Sequence, residues 1–324
     1  MNQRRSTAAG ACEHAVSRAR AAMSERTLAE FNRLRPYLLR VAYSHLGSLS
    51  EAEDLVQEAW LRLERADRAE IRDLRAWLTT VISRLALDAL TSARARRERY
   101  VGPWLPEPLV KDAEESADPA LRTDLDEDVS MAMLIVLESL SPAERSAFLL
   151  HDVFGYSFDE VARIVDRTPA AARKLAARAR AAVESRRPRY PARAEEQREI
   201  VAAFLDASRN GDVAGLLQLL DPSVTYRSDG GGLVPAARKT FTGAERVARI
   251  WTAMAGHYGD RFIGSPITVN GAPGLLLEIG LDRSVVAVTI DGGRITSLDV
   301  VRNPDKLTTL ALRAPAPNAG GARR

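Results

Sequence analysis

Arg173, Lys174, Arg178 and Arg180 sit in one short basic stretch directly after a tight-turn signal. Long cationic side chains on one helix can hold phosphates or grip a guanine edge bidentately in a major groove. A short helix over Phe158–Val165, a turn at Asp166–Thr168 and a second helix opened by Thr168-Pro169 form a helix-turn-helix, with Val161, Ile164 and Leu175 as its small core. A second constellation is acidic. Asp54, Gln57 and Glu58 share one face of a helix whose other face is Leu55, Ala59 and Leu63, which leaves an exposed acidic face. A third is a loop, Asp229-Gly230-Gly231-Gly232, whose glycines permit close approach of another backbone. Acid–base chemistry has Asp206, Asp229, Asp282, Asp299 and His257 to draw on, but no spacing pairs any of them, so no catalytic residue is assigned.

The elements that position these groups follow from periodicity and caps. Helical pattern runs from Leu28 to about Arg99. Leu34, Leu38, Val41 and Ala42 share one face of its first helix, and Ser50 is the expected N-cap of the next, with Glu51 and Glu53 in the first turn. A third helix starts at about Leu74 and carries Trp77, Val81, Leu85 and Leu90. Trp77 is in phase with Val81 and Leu85 and reads as core, not as a base-stacking platform. Pro103, Pro106, Pro108 and Pro119 interrupt the pattern, leaving a linker with a short ordered element around Trp104 and Leu105. Ser141-Pro142-Ala143-Glu144 and Ser157-Phe158-Asp159-Glu160 are capping boxes, and Gly155 stops the helix between them. After Pro188 and Pro191 come helices over 194–208 and 213–220, a strand over 223–227, a helix over 244–255, and strands over 274–279, 285–290 and 295–301. Asp291-Gly292-Gly293 is a hairpin turn between the last two strands. Helices followed by a strand meander imply an α+β domain.

The chain has 324 residues, 46% hydrophobic and 27% charged, enough for two or three cored domains. No apolar run reaches membrane-spanning length, and no apolar segment follows Arg4 and Arg5. Only one cysteine, Cys12, is present, so an internal disulfide and a cysteine-cluster metal site are excluded, and neither cofactor nor metal is expected. Net charge is +3, but it is segregated. Lys111–Asp128 holds eight acids and two bases, whereas Arg167–Arg189 holds eight bases and one acid. Such segregation suits an acidic linker followed by a nucleic-acid face. Residues 1–25, with Met23 as an alternative start, and the tail from 304 to 324 are expected to be disordered.

The motif Asp54-Leu55-Val56-Gln57-Glu58, with Trp60 and Leu63, resembles region 2.2 of bacterial sigma factors. Arg72-Asp73-Leu74-Arg75-Ala76-Trp77-Leu78 and Arg84-Leu85-Ala86-Leu87-Asp88 resemble regions 2.3 and 2.4, and residues 130–187 resemble region 4. The order and the missing region 3 match the extracytoplasmic-function (ECF) class. The resemblance implies that Asp54, Gln57 and Glu58 dock on the β′ clamp helices of core RNA polymerase. It also implies that Arg84, Asp88, Arg94, Arg96 and Arg97 meet the −10 element, where extruding a base costs a few kcal/mol. Region 4, which meets the β flap, would read the −35 element with Ala171, Arg173 and Lys174, while Arg178 and Arg180 hold phosphates. Leu175 departs from the family pattern, in which arginine is common.

Beyond region 4, Trp104-Leu105-Pro106-Glu107-Pro108, Asp229–Gly232 and Asn303-Pro304-Asp305-Lys306-Leu307 resemble signatures of the ECF subgroup with a fused SnoaL-like domain (the SigJ-like factors). The implied architecture is multidomain: two all-α sigma domains and a C-terminal α+β cone of the NTF2/SnoaL type. Its expected bounds are region 2 at 26–100, linker at 101–129, region 4 at 130–189, cone at 195–303 and tail at 304–324. The resemblance further implies control in cis, with Asp229, Gly230, Gly231 and Gly232 gripping Trp104, Leu105 and Pro106, and Asn303, Pro304, Asp305 and Lys306 acting as a latch. The implied protein is an alternative sigma factor and not an enzyme: cytoplasmic, monomeric when free, with core polymerase and promoter DNA as partners. A small-molecule ligand of the cone is left open. Two rivals are a helix-turn-helix repressor with a sensor domain, which leaves the Asp54–Glu58 face unexplained, and a small-molecule enzyme fused to a DNA-binding module, which lacks an acid–base set.

Overall fold

The computed structural model describes residues 3–97, 100–111, 129–186, 192–280 and 282–311, with side chains at 3–24, 93–97, 309 and 311 left outside that description. Three long helices form the N-terminal module: α1 (Gln3–Leu46), α2 (Leu49–Arg65) and α3 (Leu74–Arg97). Leu38, Val41 and Ala42 of α1, Leu55, Ala59 and Leu63 of α2, and Leu74, Leu78, Ile82, Ala86 and Leu90 of α3 make one core. The buried line of α3 therefore runs one residue out of phase with Trp77, Val81 and Leu85, which flank the core half-buried. The N-cap of α2 is Ser48, not Ser50; its hydroxyl accepts from Glu51 N. Helix α1 begins at Gln3, inside the segment expected to be disordered. Its Ala/Arg-rich start lacks apolar periodicity, which argues against packing and not against helix, since both residues are strong helix formers.

The second helical module holds α4 (Met131–Leu137), α5 (Pro142–Phe148), a π-helical turn at Leu149–Val153, α6 (Phe158–Ile164) and α7 (Pro169–Glu184). Both capping boxes form, and Thr168 caps α7. The turn between α6 and α7 uses Asp166 at φ 52, a left-handed position that Asp tolerates. Val161, Ile164, Ala172 and Ala176 pack between the two helices, with Leu175 half-buried against them. That packing is a local reason for leucine at this position.

The C-terminal domain contains α8 (Ala194–Arg209), α9 (Val213–Leu219) and α10 (Ala244–Tyr258). Its strands are β2 (Leu220–Asp229), β3 (Phe241–Thr242), β4 (Phe262–Val269), β5 (Ala272–Ile279), β6 (Asp282–Asp291) and β7 (Arg294–Val301). A further strand, β1 (Val110–Lys111), comes from the linker and pairs antiparallel with the end of β4. The sheet order is β1-β4-β5-β6-β7-β2-β3, antiparallel except for the β2–β7 pair. One face of the sheet packs on α8 and α10 through Phe204, Trp251, Leu275, Val286 and Leu298. The other face presents Ile267, Val269, Val285, Ala287 and Val301 to Leu105 and Val110 of the linker, Met131 of α4, and Leu307 and Leu310 after β7. The tail is thus ordered through a 3-10 turn at Pro304–Lys306 and α11 (Thr308–Ala311), because Leu307 and Leu310 are buried. Only 312–324 of the predicted tail lies outside the described residues.

Candidate regulatory junction and nucleic-acid interface

Asp229 ends β2 with no exposed surface, and each carboxylate oxygen has two donors. Oδ1 accepts from Tyr100 Oη at 2.7 Å and Gly231 N at 3.0 Å; Oδ2 accepts from Leu105 N at 2.9 Å and Lys306 Nζ at 2.8 Å. Its backbone oxygen accepts from Arg302 N and Asn303 N. Lys306 Nζ also donates to Leu105 O and lies 4.0 Å from the centre of the Trp104 ring, a cation–π distance. Asn303 Nδ2 donates to Tyr100 Oη at 2.9 Å while its Oδ1 caps the 3-10 turn at Asp305 N. Burial, then the hydrogen bond to the Asp229 carboxylate, push the Tyr100 hydroxyl up from its ordinary value of 10.0, so it remains a donor. Gly231 has φ +65, and a Cβ there would fall 2.5 Å from Asn303 Nδ2. The three motifs singled out in the sequence therefore meet at one carboxylate.

The same linker segment grips the N-terminal module. Tyr43 Oη donates to Glu107 O and accepts from Asn270 Nδ2, both at 2.8 Å. Glu107 N donates to Gly47 O, and Glu107 Oε2 accepts from Leu49 N at 2.7 Å, placing a carboxylate at the first turn of α2. Burial pushes the Glu107 carboxyl up, against the hydrogen bonds from Leu49 and Ser48 that lower it. Asn270, at φ 47, also accepts from Leu109 N at 3.1 Å. Tyr43, Gly47, Tyr100 and Asn270 escaped the sequence reading, although Asn270-Gly271 is a strong hairpin signal between β4 and β5.

The two helical modules also touch directly. Arg145, 2% exposed, donates to Leu137 O at 2.9 Å, His45 O at 2.6 Å and Glu138 Oε1 at 2.6 Å. One guanidinium thus satisfies the C-terminal ends of α1 and α4 together. Arg84 donates to Arg163 O at 3.0 Å, and Tyr37 Oη lies 3.4 Å from Tyr156 Oη.

On the predicted DNA and polymerase surfaces, Asp54 and Gln57 are exposed, and Glu58 pairs with Arg62 at 2.9 Å. Asp88, Arg173 and Lys174 are exposed and Ala171 is half-buried. The Arg173 guanidinium lies 5.4 Å from the centre of the Phe158 ring. Arg178 and Arg180 are tied to Glu144 and Asp152 of their own module at 2.7 and 2.5 Å. Those contacts staple α7 to the elements beneath it. The side chains of Arg94, Arg96 and Arg97 lie outside the described residues.

Residues 31–96 match the family model for sigma-70 region 2, and residues 130–183 match that for sigma-70 region 4. The chain is 39% identical over 297 residues to "ECF RNA polymerase sigma factor SigJ" of Mycobacterium tuberculosis, covering 88% of this chain and 95% of SigJ. It is 36% identical over 282 residues to "Probable ECF RNA polymerase sigma factor SigI" of the same species, covering 85% of this chain and 93% of SigI. The crystal structure of SigJ superposes with a TM-score of 0.72 at 38% identity, over 87% of this chain and 98% of that one. Among the described residues no helix is long and apolar enough to cross a membrane. With both sigma regions in order and the third domain carried along in a relative of nearly equal extent, the chain belongs to the ECF family of RNA polymerase sigma factors.

Proposed function

We propose that this sigma factor is controlled in cis by its C-terminal domain, which clamps the interdomain linker through Asp229 and so restrains the separation of the two DNA-reading modules. The observation that carries the reading is the set of four donors on the buried Asp229 carboxylate, three of them from the linker and the Asn303–Leu307 segment. The −10 and −35 elements lie about 25 base pairs apart by their names, or about 85 Å at ~3.4 Å per pair. In the closed chain, Arg84 of the −10 module instead bonds to Arg163 beside the −35 helix. With the linker clamped as far as Lys111, the 18 residues to Val129 can span at most about 61 Å, whereas the 32 residues from Arg97 can span about 109 Å. Clamping removes the slack that promoter spacing requires, so the clamp opposes activity.

Asp54 and Gln57 are exposed toward the β′ clamp helices, with Glu58 beside them on Arg62, and region 4 meets the β flap, so polymerase can engage first and drive opening. Arg173 and Lys174, beside Ala171, are the candidate −35 base contacts; Arg178 and Arg180 serve phosphates only after leaving Glu144 and Asp152. Arg84, Asp88, Arg94, Arg96 and Arg97 are the −10 candidates. Transcription in vitro with core polymerase tests the reading, comparing the full chain with one ending before Asn303. Starts that require the protein, and more of them at limiting polymerase from the shortened chain, are expected. DNA binding without polymerase dependence returns the repressor reading, and equal output from the two chains removes the latch.

A further inference from the structure

The loop that follows the Gly230–Gly232 turn carries charge that the junction does not use. From Gly230 to Arg249 the chain has four basic residues and one acid, Glu245, which pairs with Arg249 at 2.9 Å. Arg238 and Lys239 are exposed, and neither has an ion pair among the described residues. The Arg246 guanidinium, also exposed, lies over the Phe241 ring at 4.2 Å, two residues beyond Lys239. The loop is fixed in place: Leu233 N and Val234 N donate to Gly230 O, and Arg302 donates to Pro235 O at 2.6 Å. It is also fixed against the start of the linker. A Cβ on Gly102 would lie 3.5 Å from Ala237 O and 3.6 Å from Arg238 Cα. Gly102 follows the end of α3 at Arg97 by five residues, so Arg238, packed against Gly102, lies within about 20 Å of the end of the helix that bears the −10 candidates.

We infer that Arg238 and Lys239, with Arg246 beside them, bind the phosphate backbone of promoter DNA where it runs past the C-terminal end of α3. The inference rests on the sigma-factor reading and extends the DNA footprint onto the third domain. Cations held on an ordered loop bind phosphates without reading sequence. Release of the linker from Leu105 onward leaves Gly102 beside Arg238, so the clamp restrains opening while the loop adds affinity once the promoter is engaged.

The test is the salt dependence of promoter binding by holoenzyme, comparing the full chain with the double variant Arg238→Ala/Lys239→Ala. Each phosphate contact adds about 0.9 to the slope of log affinity against log salt. Losing two lowers the slope by about 1.8, so the affinity lost between 50 and 200 mM salt shrinks by about tenfold. The loss should be uniform across promoters with altered −10 bases and absent on a duplex trimmed to the −10 element. The charge-keeping variant Arg238→Lys/Lys239→Arg should bind as the parent does. An unchanged slope overturns the inference, as does a loss shared by the charge-keeping variant or a defect confined to polymerase binding. Failure of the parent holoenzyme to form any promoter complex overturns the sigma reading and this inference with it.

Discussion

Replacing Asp229 by alanine should open the junction locally before it unfolds the chain. The carboxylate is fully buried and its ammonium partner, Lys306, has an 11% exposed side chain, so the pair is little screened by solvent. Removing one member of a buried ion pair costs about 3–5 kcal/mol, because the other charge stays buried without compensation. Here the Leu105 and Gly231 amides and the Tyr100 hydroxyl also lose their acceptor. At about 1.4 kcal/mol per factor of ten, local opening becomes about two to three and a half orders of magnitude more frequent. Amide hydrogen exchange reads this directly. Leu105 exchange should accelerate by that factor. Leu109, whose amide is held by Asn270 and not by Asp229, should keep its protection. Unchanged exchange at Leu105 would refute the assignment of Asp229 as the clamp. Equal acceleration at Leu105, Leu109 and the amides of α2 would show that the residue supports the whole fold and not the junction.

Gly231→Ala should destabilise the junction by more than Gly280→Ala does. Both positions have positive φ and share a backbone strain of about 1–3 kcal/mol, but only the first drives a Cβ into Asn303, as paired denaturation curves would show. Arg145→Met removes the guanidinium that donates to His45 O, Leu137 O and Glu138 Oε1 together. It should cost about 3–5 kcal/mol and raise the radius of gyration in solution scattering above the ~20 Å of a compact chain of this length. Burial, then the nearby Arg145 charge, bring His45 from 6.5 down to about 4. The unfolded chain takes up a proton below pH 6.5 and the folded chain does not, so stability is full above 6.5 and falls by about 3 kcal/mol as pH drops toward 4. His45→Gln should flatten that part of the stability–pH curve relative to the parent.

What the sequence revealed was mostly local. The capping boxes at Ser141 and Ser157 and the Thr168-Pro169 start depend on residues three apart, and they stand in the structure as read. Ser48 and Ser50 are equally good caps by type, and the choice is made where Glu107 arrives at Leu49 N from the linker. The strand at Val110–Lys111 has no signature of its own, since two residues become a strand only when β4 offers an edge. Asp229, the glycine turn and the Asn303–Leu307 segment were legible as motifs, but Tyr43 and Asn270 were not. Their hydrogen bond joins positions 227 residues apart, which no periodicity encodes. Arg145 carries no local signal of burial, which depends on two helix ends meeting above it.

The clamp also has an order of manufacture. Region 4 is complete at residue 183, whereas Lys306 is added 123 residues later. At about 5–20 residues per second of synthesis, the two DNA-reading modules leave the ribosome about 6–25 s before their restraint exists. During that interval a nascent chain carries an unrestrained sigma core, and the third domain must close on partners that have already folded.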